Sequence, residues 1–185
     1  MKKGLGIITA LLVLCSALTA GAERTDVFAA EATGQVTVVE YRGAESNVPE
    51  EDSQEADVLF NRKEARGETA PVRYWDLSEK PYKYELPGVT DYTITNRCFK
   101  PDVNGCISIS TIGLDAGGNE ITIELKKTGG FLYDKVVASW TGNPQSIQGL
   151  GFNNLDPEAY YYFYFSVERG KGICVNGEGL IHHPE

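Results

Sequence analysis

The stretch Phe152-Asn153-Asn154-Leu155-Asp156-Pro157-Glu158-Ala159-Tyr160-Tyr161-Tyr162-Phe163-Tyr164-Phe165-Ser166-Val167 decides the fold class of this chain. Asn153-Asn154 and Asp156-Pro157 are turn chemistry, because Asx side chains bond their own backbone and proline fixes φ. The aromatic run behind them is β-prone and too short for a helix packed by its own period, so it reads as a strand. Alternate residues divide it into two faces. Tyr161, Phe163, Phe165 and Val167 suit a core, while Tyr160, Tyr162, Tyr164 and Ser166 carry polar tips that can meet water. A sheet with one buried and one wet face is implied.

The rest of the chain after Pro71 repeats this signal. Short β-patterned runs at 72–77, 82–86, 92–99, 106–114, 120–127, 132–141, 146–152, 160–168 and 172–181 are separated by Pro87-Gly88, Asn104-Gly105, Gly117-Gly118-Asn119, Gly129-Gly130, Gly142-Asn143-Pro144, Asp156-Pro157 and Gly170-Lys171-Gly172. Many short strands with no helix of useful length predict an all-β fold, an antiparallel β-sandwich of immunoglobulin, fibronectin III or jelly-roll type. The inward sets by alternation are Ile107 and Ile109; Ile121, Ile123 and Leu125; Val136, Ala138 and Trp140; Tyr161, Phe163 and Phe165; Ile173 and Val175, with Trp75 at the start.

The N-terminus reads as an export signal. Lys2 and Lys3 precede an apolar run from Leu5 to Leu18, then Ala20-Gly21-Ala22 and the charged Glu23-Arg24, so residues 1–22 predict a secretory signal peptide. A membrane anchor is the alternative, but the run falls short of the roughly twenty apolar residues a span needs. Cys15 as a lipid-attachment site is a weaker one, since Leu14 stands where a small residue is required. Val27-Phe28-Ala29 offers a second, later cleavage point. Residues 23–71 read as an N-terminal segment and acidic linker, largely flexible, and 72–185 as the sandwich. The segment holds one β-patterned stretch at 35–41, an acidic tract with Glu45, Glu50, Glu51, Asp52, Glu55 and Asp57, and a short helix candidate at 61–66. The acids lack the Asp-x-Asp-x-Asp-Gly spacing of a calcium loop.

Charge narrows the partners. The whole chain carries a formal −9, and loss of Lys2 and Lys3 with the signal takes it to −11 because no acid leaves with them. Such a chain is repelled by nucleic acid and anionic lipid, so we expect neither nucleic acid nor, after signal removal, membrane as partner. The mature chain keeps Cys98, Cys106 and Cys174, an odd number in an oxidising compartment. Cys98 with Cys106 is the candidate disulfide on loop-closure grounds. Pairing about an Asn104-Gly105 hairpin places Cys98 on the face of Ile107 and Ile109, so the bond requires a bulge or a looser loop.

Leu155, Pro157 and Tyr161 follow the spacing Leu-x-Pro-x-x-x-Tyr, which resembles the tyrosine corner of fibronectin type III and related immunoglobulin-like domains. The resemblance implies that Tyr161 is structural, its ring in the core and its hydroxyl bonded back to the chain near Leu155. Phe163 stands where antibody-type domains carry cysteine, so their intersheet disulfide is absent. From Asp91 through the Tyr160 strand the rhythm also resembles small secreted sandwich domains of Gram-positive bacteria, some bacterial pre-peptidase C-terminal domains among them. That resemblance brings no functional residues with it.

No motif specifies a reaction. The chain has no Gly-x-Ser-x-Gly elbow, no phosphate-cradling glycine loop before a helix, and its only histidines, His182-His183, lie near the C-terminus, where they read as solvent-exposed and inert. We expect no enzyme activity, no cofactor and no metal site. The expected function is a noncatalytic binding or adhesion module, secreted or held at a bacterial cell surface, whose partner is an extracellular glycan or protein. The alternative is an inhibitor or accessory subunit that offers an edge strand or loop to a partner protein. Tyr160, Tyr162 and Tyr164, about 7 Å apart on one outer face, are the candidate ligand-binding residues; Trp75 and Trp140 join Tyr161 as structural. Mass spectrometry of the exported protein should find Glu23 as the first residue; a start at Thr25 or beyond would displace the cleavage site.

Overall fold

A computed structural model describes residues 35–42, 55–62, 70–129 and 134–184. Twelve strands form two packed sheets: β1 (Thr37–Tyr41), β2 (Asp57–Val58), β3 (Tyr74–Trp75), β4 (Tyr82–Val89), β5 (Tyr92–Ile94), β6 (Cys98–Phe99), β7 (Ile107–Ser110), β8 (Ile121–Lys127), β9 (Lys135–Gly142), β10 (Gly149–Asn153), β11 (Tyr161–Ser166) and β12 (Val175–His182). The first sheet runs β1-β10-β7-β12-β4-β2 and the second β3-β6-β11-β8-β9, with β5 also on β11. The all-β sandwich expected from the turn spacing is present. Both sheets are mixed, because β2 lies parallel to β4 and β3 parallel to β6 at their edges. The one helical element among the described residues is a 3₁₀ turn, Pro144–Ser146, capped by the Asn143 side chain.

Aromatic rings join the sheets. Tyr82 of β4 meets Phe99 of β6 at 5.0 Å, Phe99 meets Phe163 of β11 at 6.2 Å, and Phe163 meets Phe152 of β10 edge-on at 5.5 Å. Tyr84 meets Phe165 at 5.3 Å. Such pairs add roughly 0.5–1.5 kcal/mol each beyond their buried area. A phenol in this dry layer needs an acceptor, and the Tyr84 hydroxyl donates to the Ser110 carbonyl at 2.8 Å. Gly179 makes that reach possible. A Cβ there would stand 2.4 Å from the Tyr84 oxygen.

Two seams close the sandwich. On one side Trp140 of β9 donates its indole N–H to Glu40 of β1 at 2.7 Å, which holds the Glu40 carboxyl below its usual range, with Arg42 adding to the effect. On another, residues 55–62 leave β4 of the first sheet and reach β5 of the second: the Leu59 N–H donates to the Glu85 carbonyl at 2.8 Å and the Arg62 N–H to the Tyr92 carbonyl at 2.7 Å. Leu59 is fully buried between them. The expectation of a largely flexible segment over 23–71 is therefore corrected for 35–42 and 55–62, which are parts of the sandwich. An apolar residue inside an acidic tract, Leu59, supplies the burial. The signal peptide expected at 1–22 and most of the acidic tract lie outside the described residues. Arg62 makes a β-bridge rather than helix, and 63–66 lie outside the described residues.

Several local expectations shift for identifiable reasons. Pro87-Gly88 does not end a strand; it forms a bulge in β4, where the register to β12 slips between Val175 and Asn176 and Gly88 takes φ 79°. Asn104-Gly105 is not a hairpin between paired strands, because β6 and β7 belong to different sheets. Asp102 builds the corner instead, its carboxylate accepting from the N–H of Asn104 and of Cys106. Accordingly Cys98 and Cys106 are not bonded, and Cys98, Cys106 and Cys174 are all free thiols. Val136 points outward, 42% exposed. A bulge against Leu125–Lys126 shifts the phase of β9 so that Val137 and Ala138 face the core in its place. Trp140 and the rest of the expected core are inward, and Trp75 packs edge-on against Tyr82 at 5.5 Å. His182 belongs to β12, paired with Ser108, and a ring nitrogen of His183 bonds the Lys100 carbonyl at 3.1 Å, so neither is a frayed end.

The corner geometry expected at Tyr161 is present. Its ring is buried and its hydroxyl accepts from the Asp156 N–H at 3.0 Å. Tyr161→Phe should lose about 1 kcal/mol with that bond, and Tyr161→Ala about 3–5 kcal/mol through the cavity left. Chemical denaturation of both variants measures this, and equal midpoints for all three proteins would reject the role.

Candidate binding face

The outer face of the second sheet holds the residues that alternation singled out, and the tertiary structure treats them unequally. β11 lies between β8 on one side and the collinear β5 and β6 on the other. Tyr162, at its centre, is 1% exposed and packs with Ile94 and Cys98 in a second small core, against which Ala70, Tyr160 and Tyr164 also lie. Its hydroxyl donates to Asp134 at 3.1 Å. Tyr162 is thus removed from the candidate ligand-binding set. The face expected to be wet is closed there by Ala70 packed against the cluster that Tyr162 forms with Ile94 and Cys98 of the flanking strands.

Tyr160 and Tyr164 stand at the margins of that cover. Tyr164 stacks on Tyr92 with centroids 5.2 Å apart and carries the Lys126 ammonium 3.8 Å above its ring. Tyr160 meets the ring of Tyr74 at 4.2 Å, and the Lys100 ammonium lies 5.5 Å from its centroid, itself paired with Glu158 at 3.2 Å. Tyr74 was missed by the sequence reading, yet it is the more accessible ring at 62% exposure. The signal was available: alternation through 72–77 sends Trp75 and Leu77 inward, and therefore Val72 and Tyr74 outward. Val72 is 82% exposed.

An open cleft of about 530 Å³ adjoins this edge, lined by Asp57, Arg62, residues 70–73 and residues 94–97. A break in the strand expected over 92–99 creates it. The Thr95 N–H still donates to the Phe163 carbonyl at 3.0 Å, but the Phe163 N–H is taken by the Thr95 hydroxyl at 3.2 Å, which in turn donates to the Arg97 carbonyl at 2.9 Å. A side chain thus replaces a ladder bond, and Asn96 and Arg97 swing out of the sheet. Arg97 lies 3.6 Å from Asp57, whose carboxylate also accepts from the Tyr82 hydroxyl at 3.0 Å.

Nothing in this arrangement is set up as a nucleophile. Cys98, beneath the cover, donates its thiol to the Pro71 carbonyl at 3.1 Å, and burial, with the Asp134 charge added, pushes its pKa up to about 12. A group of three or more His, Cys, Asp or Glu side chains able to hold a metal does not occur among the described residues. Comparison with models of known protein families, with curated proteins and with solved structures finds no match to this chain. The likeness to fibronectin type III and related domains therefore rests on the residues of the corner.

The thiolate is the reactive form of cysteine, so access and pKa act together on Cys98. Maleimide applied to the folded protein should label exposed Cys174 readily and Cys98 only after denaturant is added, as read by peptide mass mapping. Equal labelling of the two in the native state would show that residues 70–71 do not cover Tyr162.

Proposed function

We propose that this chain is a secreted, noncatalytic binding module whose ligand is an extracellular glycan, docked at the Tyr74–Tyr160 edge of the second sheet. The observation that supports this reading is an exposed ring held in a fixed place. Tyr74 is anchored by the pairing of β3 with β6 and by its contact with Tyr160, while its outer face stays open. The apolar C–H face of a sugar stacks on such a ring, and a ring already ordered loses little entropy when it binds. Val72, two residues away on the same face, extends the platform by about 7 Å, and Lys100 flanks it with hydrogen-bond donors.

The edge-strand alternative has one observation in its favour: β9 is the outer strand of the second sheet and eight residues long. Its bulge, its terminal Lys135 and the tie from Trp140 to Glu40 are devices that blunt an edge against pairing, so the platform is the better supported site. A glycan array probed with the mature chain should give hits that Tyr74→Ala weakens about tenfold or more, while melting shifts little because the side chain is largely exposed. An array without hits, or hits indifferent to Tyr74→Ala, would reject the platform.

A further inference from the structure

Most cations among the described residues are matched to acids. Arg42 pairs with Glu40, Lys83 with Glu178, Lys100 with Glu158, Lys126 with Glu124, Lys127 with Asp156, Arg169 with Asp91 and Lys171 with Glu168. The cleft beside Tyr74 departs from that pattern. Among the described residues that line it are Arg62, Arg73 and Arg97, together with a single acid, Asp57. Neither Arg62 nor Arg73 has a carboxylate partner among the described residues, and Asp57 is shared between Arg97 and the Tyr82 hydroxyl. The Arg97 Nε is buried and makes no hydrogen bond among the described residues, the Asp57 carboxylate standing 3.6 Å away.

Three arginines lining one cleft with one described carboxylate leave an excess of positive charge there, and a buried donor without a hydrogen-bond acceptor is costly. Both costs vanish if an oxyanion enters. Guanidinium forks match the oxygens of a carboxylate or sulfate two at a time, which an ammonium cannot do. The overall negative charge does not forbid such a ligand, since fields beyond about 8 Å are screened at physiological salt and the local excess of positive charge decides. We infer that this cleft is an oxyanion-binding site that takes the carboxylate or sulfate group of an acidic glycan. Val72 lines the cleft and lies on the Tyr74 side of the extended chain, so an acidic residue of the polymer sits in the cleft while its neighbour stacks on the ring. The inference rests on the glycan reading for its polymer and on the arginines for its charge.

The test uses the mature chain, wild type and Arg62→Gln/Arg73→Gln, with polygalacturonate, dextran sulfate and neutral dextran as probes in calorimetry, and with inorganic sulfate in thermal melts. Arg62 and Arg73 hold no ion pair among the described residues, so the double variant should melt within about 2 °C of wild type. Wild type should bind one or both acidic polymers, with polygalacturonate and dextran sulfate separating carboxylate from sulfate preference. The double variant should bind them about tenfold more weakly or worse, and added salt should weaken the wild-type complex more than the variant's. Acidic polymers bound equally by both proteins, or dextran bound as tightly as either, overturn the oxyanion site. The second result leaves the Tyr74 platform standing. Sulfate that raises the melting temperature of wild type alone, with no polymer bound, supports the oxyanion site and overturns the glycan reading. If sulfate acts only after Glu64→Gln and Glu68→Gln are introduced together, the occupant is this chain's own carboxylate and the proposal fails.

Discussion

Burial of β11 on both faces is the constraint on which the rest of the structure depends. A strand in a two-sheet sandwich normally keeps one face in water. Here Phe163 and Phe165 fill the space between the sheets, while Tyr162 on the opposite side is as inaccessible as they are. Something must then lie over the outer side, and residues 70–71, Ile94 and Cys98 do so. That requirement draws the chain before β3 back across the sheet. It also places β3 in parallel register beside β6, and so fixes Tyr74 at the rim.

The same cover explains why the cleft exists. A continuous strand over 92–99 would continue the ladder on β11 and leave no opening. Thr95 interrupts it at low cost because its hydroxyl both satisfies the Phe163 N–H and holds the Arg97 carbonyl. Residues 55–62 then fasten the outer side of the break, with the Asn96 amide donating to the Val58 carbonyl and the Thr93 hydroxyl to that of Phe60. The acid that anchors this segment, Asp57, is the one carboxylate among the described residues that line the cleft with the three arginines. Structural fastening and local charge excess therefore come from one short segment.

Between the sheets, tolerance for polar atoms depends on missing side chains. Tyr84 can bury its hydroxyl only because Gly179 leaves room for it to reach Ser110 across β12. Burial raises the pKa of that phenol well above its usual value, so it remains a neutral donor. The two glycines of β12 that face inward, Gly177 and Gly179, are thus part of the packing. At Gly177 a Cβ would run into the Gly113 carbonyl.

What the sequence determined by itself is local. Turn chemistry at Asp156-Pro157 and the period-two pattern of Tyr161, Phe163 and Phe165 depend on neighbours within a few residues, and they suffice for the strand, its inward face and the corner hydroxyl bond. The strands within the runs 82–86, 106–114 and 120–127 were legible for the same reason, the second of them observed only over Ile107–Ser110. Alternation reports only which residues share a face, and tyrosine is at home in water or under cover, so it could send Tyr74 and Tyr162 outward but could not say that Tyr162 would be covered there. Nor could it place Leu59, whose burial needs two sheets to converge, or keep the phase of Val136 through a bulge set by the partner strand. The gathering of Arg62, Arg73 and Arg97 around one acid joins residues far apart in the chain. Only the tertiary structure decides that, because charge in a sequence has no position until the backbone supplies one.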